Sequence, residues 1–276
     1  MKSTSTKVWI FIFVTSLIFL LIGYQLAERL GLFVAFLLAL GFNFALFFFG
    51  QPRLLKSFSS EILRGQDPWG LTDFVAEKSR ELSVPEPEIR ILDCESASAF
   101  VLNLIWHRPV LALTRGLLQR YSRQELEAAI VHRLCHLHNT SSAAFTISGI
   151  LANAILRIGG SLDCLWIGNF FPGRPSSPFS TLLSPLAWLI VRLVTRDKTF
   201  FIVDEMSARI IDDRDRIGRL LWRLESESRV VPMSIPAGTG HLFIVNPERG
   251  KQRNPLLLLQ PATELRIRKL MGYYPL

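Results

Sequence analysis

Charge is missing where a soluble chain would carry it. Val8 to Gln25 holds no Asp, Glu, Lys or Arg, and Gly31 to Gly50 holds none either, with Asn43 as its most polar residue. Each run is long enough to cross a hydrocarbon core about 30 Å thick, which excludes an ordinary soluble globule. Cysteine is scarce. Cys94, Cys135 and Cys164 are odd in number, scattered, and contain no CxxC pair. That excludes a disulfide framework and fits a reducing compartment. Acidic residues are in deficit, with 23 Asp and Glu against 31 Lys and Arg, for a net charge of +8. No nucleic-acid motif accompanies this excess. The basic side chains read as flanks of membrane spans that touch anionic lipid. The lead of Lys2 and Lys7 would suit a cleaved signal peptide, but no small-x-small site follows the first run and a second run does.

What is present agrees with these exclusions. The 276 residues are 49% hydrophobic and include 20 Phe and six Trp, with mean hydropathy +0.30. The two apolar runs, joined by Gln25 to Leu30, predict an uncleaved helical hairpin over residues 1–56. Lys2 and Lys7 precede it, Arg53 and Lys56 follow it, and Glu28 and Arg29 cancel in its turn. The positive-inside rule then places the N-terminus and the main body on the cytoplasmic side of an inner or thylakoid-type membrane. Residues 57–276 form the body, interrupted at 141–194 by a second hydrophobic hairpin. Its uncharged runs are Ser141 to Leu156 and Pro175 to Val191, read as spanning in preference to lying against the membrane or packing as core helices, with Gly160 to Ser177 as a membrane-surface loop.

Local patterns fill in the body. Pro68 to Leu82 is amphipathic at helical spacing. Glu88 to Leu92, Ser98 to Ile105 and Val110 to Leu113 are strand-like, and Thr114-Arg115-Gly116 turns the chain onward. Phe200 to Leu224 reads as one helix whose Asp212 to Arg216 segment is a solvated face. Arg229 to Leu259 is a long connection, and Thr263 to Met271 is a short terminal helix. The fold class is α+β, mainly helical with a small sheet, plus transmembrane hairpins.

The stretch around which the chain is organised runs from Ser122 to Thr140. Ser122 is placed to cap a helix, with Glu125 completing a capping box. His132 and His136 stand four residues apart, so both imidazoles leave one helix face. That is the histidine spacing of the zinc-protease helix, H-E-x-x-H, in which the Glu takes a proton from zinc-bound water. Here Arg133 stands where the Glu would be.

Several stretches together resemble a family. Ser98-Ala99-Phe100, Thr114-Arg115-Gly116-Leu117-Leu118 and Glu125-Leu126-Glu127-Ala128 occur in order. Asp204-Glu205-Met206-Ser207-Ala208, His241-Leu242-Phe243-Ile244-Val245-Asn246-Pro247 and Pro261-Ala262-Thr263-Glu264-Leu265-Arg266-Ile267 follow them. Their order and spacing resemble the HtpX-like membrane-bound zinc metalloendopeptidases, of the gluzincin type, over nearly the whole chain.

The resemblance implies roles residue by residue. His132 and His136 fall on the two zinc histidines, and Arg133 on the general base. The third ligand position, four residues before Asp204, is Phe200. Asp204 falls on the Asp that supports the ligands, and Ser98, Ala99 and Phe100 on the substrate-aligning edge strand. A guanidinium has no acceptor and cannot deprotonate water. Beside a dication it costs on the order of several kcal/mol, and a Phe ring cannot ligate. Cys135, Glu205 or a rotated Asp204 could in principle repair a metal site; His107 and His138 read as surface or packing residues.

The expectation is a pseudo-peptidase that needs no cofactor and that binds or regulates membrane proteins or a partner complex. One alternative is an active zinc endopeptidase of membrane-protein quality control with rearranged ligands. The other is a structural membrane subunit of a larger complex. Expected partners are membrane lipid and a membrane-protein client or partner complex, with no nucleic acid.

Overall fold

The structure, a computed structural model, describes residues 2–58, 60–63, 67, 69–104, 107–139, 142–170, 178–248 and 260–272; the side chains of 2–8, 11 and 166–170 are outside that description. The first helical element, α1 (Lys2–Ser57), is two arms broken at Ala27 (φ −153°) and Glu28 (φ 44°). The break falls inside the expected Gln25–Leu30 turn. The arms return on each other: a Cβ on Gly23 would meet Ala35 Cβ at 2.4 Å, and the Phe19 and Phe42 rings lie 5.4 Å apart. Asn43 Nδ2 donates to Ser16 Oγ at 3.2 Å and to the Ala39 carbonyl at 2.8 Å. In hydrocarbon a lone amide is costly, so this polar latch fixes the rotation of one arm against the other. Phe13, Leu17, Phe33 and Leu40 stay exposed, as a lipid-facing surface requires.

The body begins with β1 (Ser60–Ile62), a short strand the sequence pattern does not reveal. Helix α2 (Leu71–Glu81) follows, then β2 (Glu88–Leu92), β3 (Ala99–Leu102) and β4 (Val110–Thr114). The sheet order is β1-β2-β4-β3. The β2–β4 pair is parallel and the other two pairs are antiparallel. Thr114 fixes the corner after β4. Its Oγ1 accepts from Ser98 N at 2.8 Å and from Leu117 N at 3.3 Å, capping α3 (Arg115–Arg120). Gly116 is required there, because a Cβ would lie 1.9 Å from the Glu95 carbonyl oxygen.

The central helix α4 (Arg123–His138) starts as expected. Ser122 N donates to Glu125 Oε2 at 2.9 Å and Glu125 N donates to Ser122 Oγ at 3.4 Å. From Ala128 to Leu137 every residue is buried. Over this span the helix packs on β3, on α2, and on two later helices, α7 (Asp197–Ile211) and α8 (Arg214–Val230), so the two histidines and Arg133 on it are interior.

Helix α5 (Ser142–Phe170) runs past the expected end at Leu156 into the stretch read as a loop. Gly159 does not break it; the Ser180 backbone lies against this glycine, 2.8 Å from where a Cβ would sit. Helix α6 (Pro178–Val194) runs back along α5: Gly159 meets Ser180, while Ala152 and Leu156 meet Ala187 and Val191. The remainder of the expected loop, 171–177, lies outside the described residues. By length and composition, 12–57 and 142–165 contain membrane-spanning candidates, and α6 with the next helix passes only as a bent pair.

The single helix expected over 200–224 is two. Helix α7 (Asp197–Ile211) ends at Asp212 in the left-handed region (φ 56°), and Asp213 Oδ1 accepts from Arg216 N at 2.8 Å to cap α8 (Arg214–Val230). The charges read as a solvated face are thus a C-cap followed by an N-cap. A 3-10 turn at Gly240–Leu242 and α9 (Thr263–Met271) complete the chain.

Candidate functional site

The site lies where α4, α7, α9 and the 240–245 segment meet. His132, Arg133, His136, Phe200, Asp204 and Arg266 are each at most 3% exposed. Asp204 stands one turn after Phe200 on α7, so both reach the same face of α4.

Asp204 is the hub. Arg266 grips it with both prongs, Nε to Oδ2 at 2.9 Å and Nη2 to Oδ1 at 2.6 Å. His132 Nε2 lies 2.8 Å from Oδ1. Burial alone would raise the Asp204 carboxyl, but Arg266 and the His132 N–H hold it well below the ordinary carboxylate range. The other ring nitrogen of His132, Nδ1, lies 2.7 Å from Arg133 Nη2. A guanidinium only donates, so Nδ1 accepts and the ring proton sits on Nε2, donated to Asp204. Both nitrogens of His132 are therefore occupied by protein. Burial, aided by the neighbouring Arg133 cation, pushes its pKa down to about 4, and the ring is neutral.

Arg133 also donates from Nη1 to the Leu242 carbonyl at 2.9 Å, as Arg266 does from Nη1 to the Ile244 carbonyl at 2.6 Å. Two arginines thus pin the 240–245 segment to the helices beneath it. Burial, and then the charge of Arg266, push the Arg133 guanidinium down to about 9, which leaves it a cation at neutral pH. With Arg133, Arg266 and Asp204 ionised and the histidines neutral, the cluster keeps one net positive charge out of water.

His136 sits apart. Its ring meets Phe145 edge-on at 4.9 Å, and neither ring nitrogen has a hydrogen-bond partner among the described residues. Burial holds it well below the ordinary imidazole value. Phe200 fills the position between Phe145, at 5.7 Å, and the Arg266 guanidinium, at 5.6 Å. His138 and His107 contact the backbone carbonyls of Leu82, at 2.9 Å, and Phe47, at 3.2 Å. Cys135 is buried beside Ser207 of α7, and burial pushes its thiol up to about 12. Among the described residues no three His, Cys, Asp or Glu side chains converge as a metal site would need.

Ser98 leads into β3, the edge of the sheet, which Ala99 opens, and Phe100 follows with 1% exposure. That edge is partly covered. Phe100 pairs with Phe243 in an antiparallel bridge, Ile244 N donates to the Ala99 carbonyl at 3.2 Å, and the two Phe rings lie 4.8 Å apart.

Comparison with known proteins extends over the whole arrangement. No family model matches the sequence. The chain is 30% identical to a protease HtpX homolog of Pyrococcus abyssi over 257 residues, which is 90% of this chain and 89% of that protein. The chain belongs to the HtpX family. The protease HtpX homolog of Thermococcus sibiricus is 29% identical over 94% of this chain and 91% of its own length. That of Pelotomaculum thermopropionicum is 27% identical over 96% and 97%. With an HtpX relationship of this extent, the helical membrane body with its small sheet is what the sequence leads one to expect. Three partners in the cluster escape the sequence reading of this HtpX chain: Arg266, and the carbonyls of Leu242 and Ile244. Only Arg266 leaves a signal, as the one cation of α9 on its apolar side.

Proposed function

We propose that this HtpX-family protein is a membrane-anchored pseudo-peptidase, which holds or regulates membrane proteins or a partner complex without cutting them. The observation that carries the reading is Arg133. It stands at the general-base position, donates to His132 Nδ1 at 2.7 Å and to the Leu242 carbonyl at 2.9 Å, and cannot accept a proton from water. With the other His132 nitrogen bonded to Asp204, no lone pair of that ring faces a free space. A zinc ion needs at least three protein donors. The residues present, His136, an engaged His132, an apolar Phe200 and a fixed cation, do not fit one. Orientation belongs to the same reading: the basic flanks of α1 support a cytoplasmic N-terminus and body, in an inner or thylakoid-type membrane, with α5 and α6 as a second hairpin.

The alternative, a zinc peptidase with rearranged ligands, draws on the unpartnered nitrogens of His136. Metal analysis separates the two. The purified protein is expected to hold well under one zinc per chain after dialysis. Arg133→Glu with Phe200→Glu removes the repelling charge, restores an acceptor and adds an oxygen ligand. The double variant should gain stoichiometric zinc and a zinc-dependent rise in Tm, while each single variant gains little. Stoichiometric zinc in the parent, lost in His132→Ala, would establish the alternative instead.

A further inference from the structure

Outside the buried cluster the body carries an open groove of about 670 Å³ between α7 and α9. Lys198, Phe201, Ile202, Arg209 and Lys269 line it, with Glu205 at one side. The charges do not balance. Glu205 is already bound to Arg209 and Arg214, at 3.2 and 2.9 Å. Asp204 and Arg266, at the floor, neutralise one another. Lys198 and Lys269 remain, and among the described residues neither makes an ion pair. Lys269 Nζ instead stands over the Phe201 ring at 4.1 Å, which holds one cation at the groove's mouth. The groove is therefore a pocket with two uncompensated ammonium groups and an aromatic wall.

Its position says what would fill it. Helix α6 exposes Leu182, Leu186, Leu189 and Leu193 in a stripe, the lipid side of the α5–α6 pair. The chain bends by 48° into α7, and the groove opens within the first two turns after that bend. Ile202, at 56% exposure, puts an apolar side chain in it. Apolar residues continuous with a lipid-facing helix, next to paired cations, match the two halves of a phospholipid.

We propose that the α7–α9 groove binds an anionic phospholipid. The phosphodiester sits between Lys198 and Lys269, and an acyl chain runs over Ile202 toward Leu193. A zwitterionic headgroup brings its own ammonium and gains less from the two lysines. The inference depends on the membrane placement of α6 and not on whether the protein cuts peptides.

The test is lipid retention by the full-length protein, extracted in mild detergent from vesicles of equal phosphatidylglycerol and phosphatidylcholine and weighed intact by native mass spectrometry. Phosphatidylglycerol should be retained preferentially. Lys198→Gln with Lys269→Gln should weaken its retention roughly thirty-fold, since each cation near an anionic surface is worth about a factor of five. Lys78→Gln with Arg80→Gln, on α2 and outside both hairpins, should leave it unchanged. Ile202→Ala should weaken retention while keeping the headgroup preference. Equal retention of both lipids, or unchanged retention in the double-lysine variant, overturns the proposal. So does displacement of the lipid by millimolar glycerol phosphate, which would mark a free-phosphate site, or by an acidic peptide, which would mark a protein-docking face.

Discussion

Asp204→Asn is the sharpest probe of the buried cluster, because it changes charge with almost no change in shape. The parent cluster carries two guanidiniums and one carboxylate, held by contacts of 2.6 to 2.9 Å between Arg266 and Asp204. Removing the carboxylate leaves two buried cations with no anion, and losing one partner of a buried pair costs about 4 kcal/mol. In a chain of this size that corresponds to a fall in Tm of roughly 8–16 °C. Arg133→Met should behave differently. Burial, and then Arg266, push the Arg133 pKa down to about 9, a penalty on its charge on the order of several kcal/mol. Relief of that penalty is offset by His132 Nδ1 and the Leu242 carbonyl, each left without a donor at about 1–3 kcal/mol. The single variant should therefore be close to neutral. The double variant tests the charge logic. In the Arg133→Met background one cation has already gone, so Asp204→Asn should cost at least about 1 kcal/mol less than in the parent. Thermal unfolding of the detergent-solubilised proteins reads all four corners of the cycle. An Asp204→Asn variant that melts with the parent refutes the reasoning. So does an equal cost in both backgrounds, which would mean that Arg133 and Asp204 do not share one electrostatic site.

Acidification should destabilise the fold over a defined window. Burial pushes His132 and His241 down to about 4, while the unfolded chain titrates near 6.5. Below pH 6.5 the unfolded state takes protons that the folded state refuses, so this stability is complete above about 6.5 and lost as pH falls toward 4. Tm should decline steadily across that interval, and a flat or rising Tm from pH 6.5 to 4 refutes the neutral-histidine assignment. Topology is tested separately: reporters fused at Met1 and at Leu276 should both read as cytoplasmic, and ends on opposite faces would break the paired-span reading.

The parts of this fold that are legible in sequence are those set by neighbours in the chain. The α4 capping box, the α1 turn and the bounds of α9 each depend on residues within one or two turns, and each stands where local pattern puts it. The break at Asp212–Asp213 is also local, but two consecutive acids in a charged run look like a solvated helix face until one adopts φ 56°. Strand β1 is different in kind. Ser60-Glu61-Ile62 has no alternation long enough to read and becomes a strand only because β2 lies alongside it. The cluster follows the same division. The helix periodicity puts His132 and His136 on one face. The grip of Arg266 on Asp204 spans 62 residues, and the contact of Arg133 with Leu242 spans 109. No local pattern encodes such partners, and the carbonyl acceptors carry no side-chain identity at all.

The bridge between Phe100 and Phe243 changes what any client must achieve. The flank of β3 that does not pair with β4 is met by a segment of the same chain, anchored through the carbonyls of Leu242 and Ile244. A tethered segment competes at an effective concentration that for short flexible tethers reaches the millimolar range. A free peptide adding to β3 must outbid that concentration and also displace a ring packed at 4.8 Å. Short, weakly binding peptides are thereby filtered out. On the proposed reading, a membrane-protein client would gain this edge through avidity, by holding the protein elsewhere first, and a shared lipid bilayer would be the surface for that second hold.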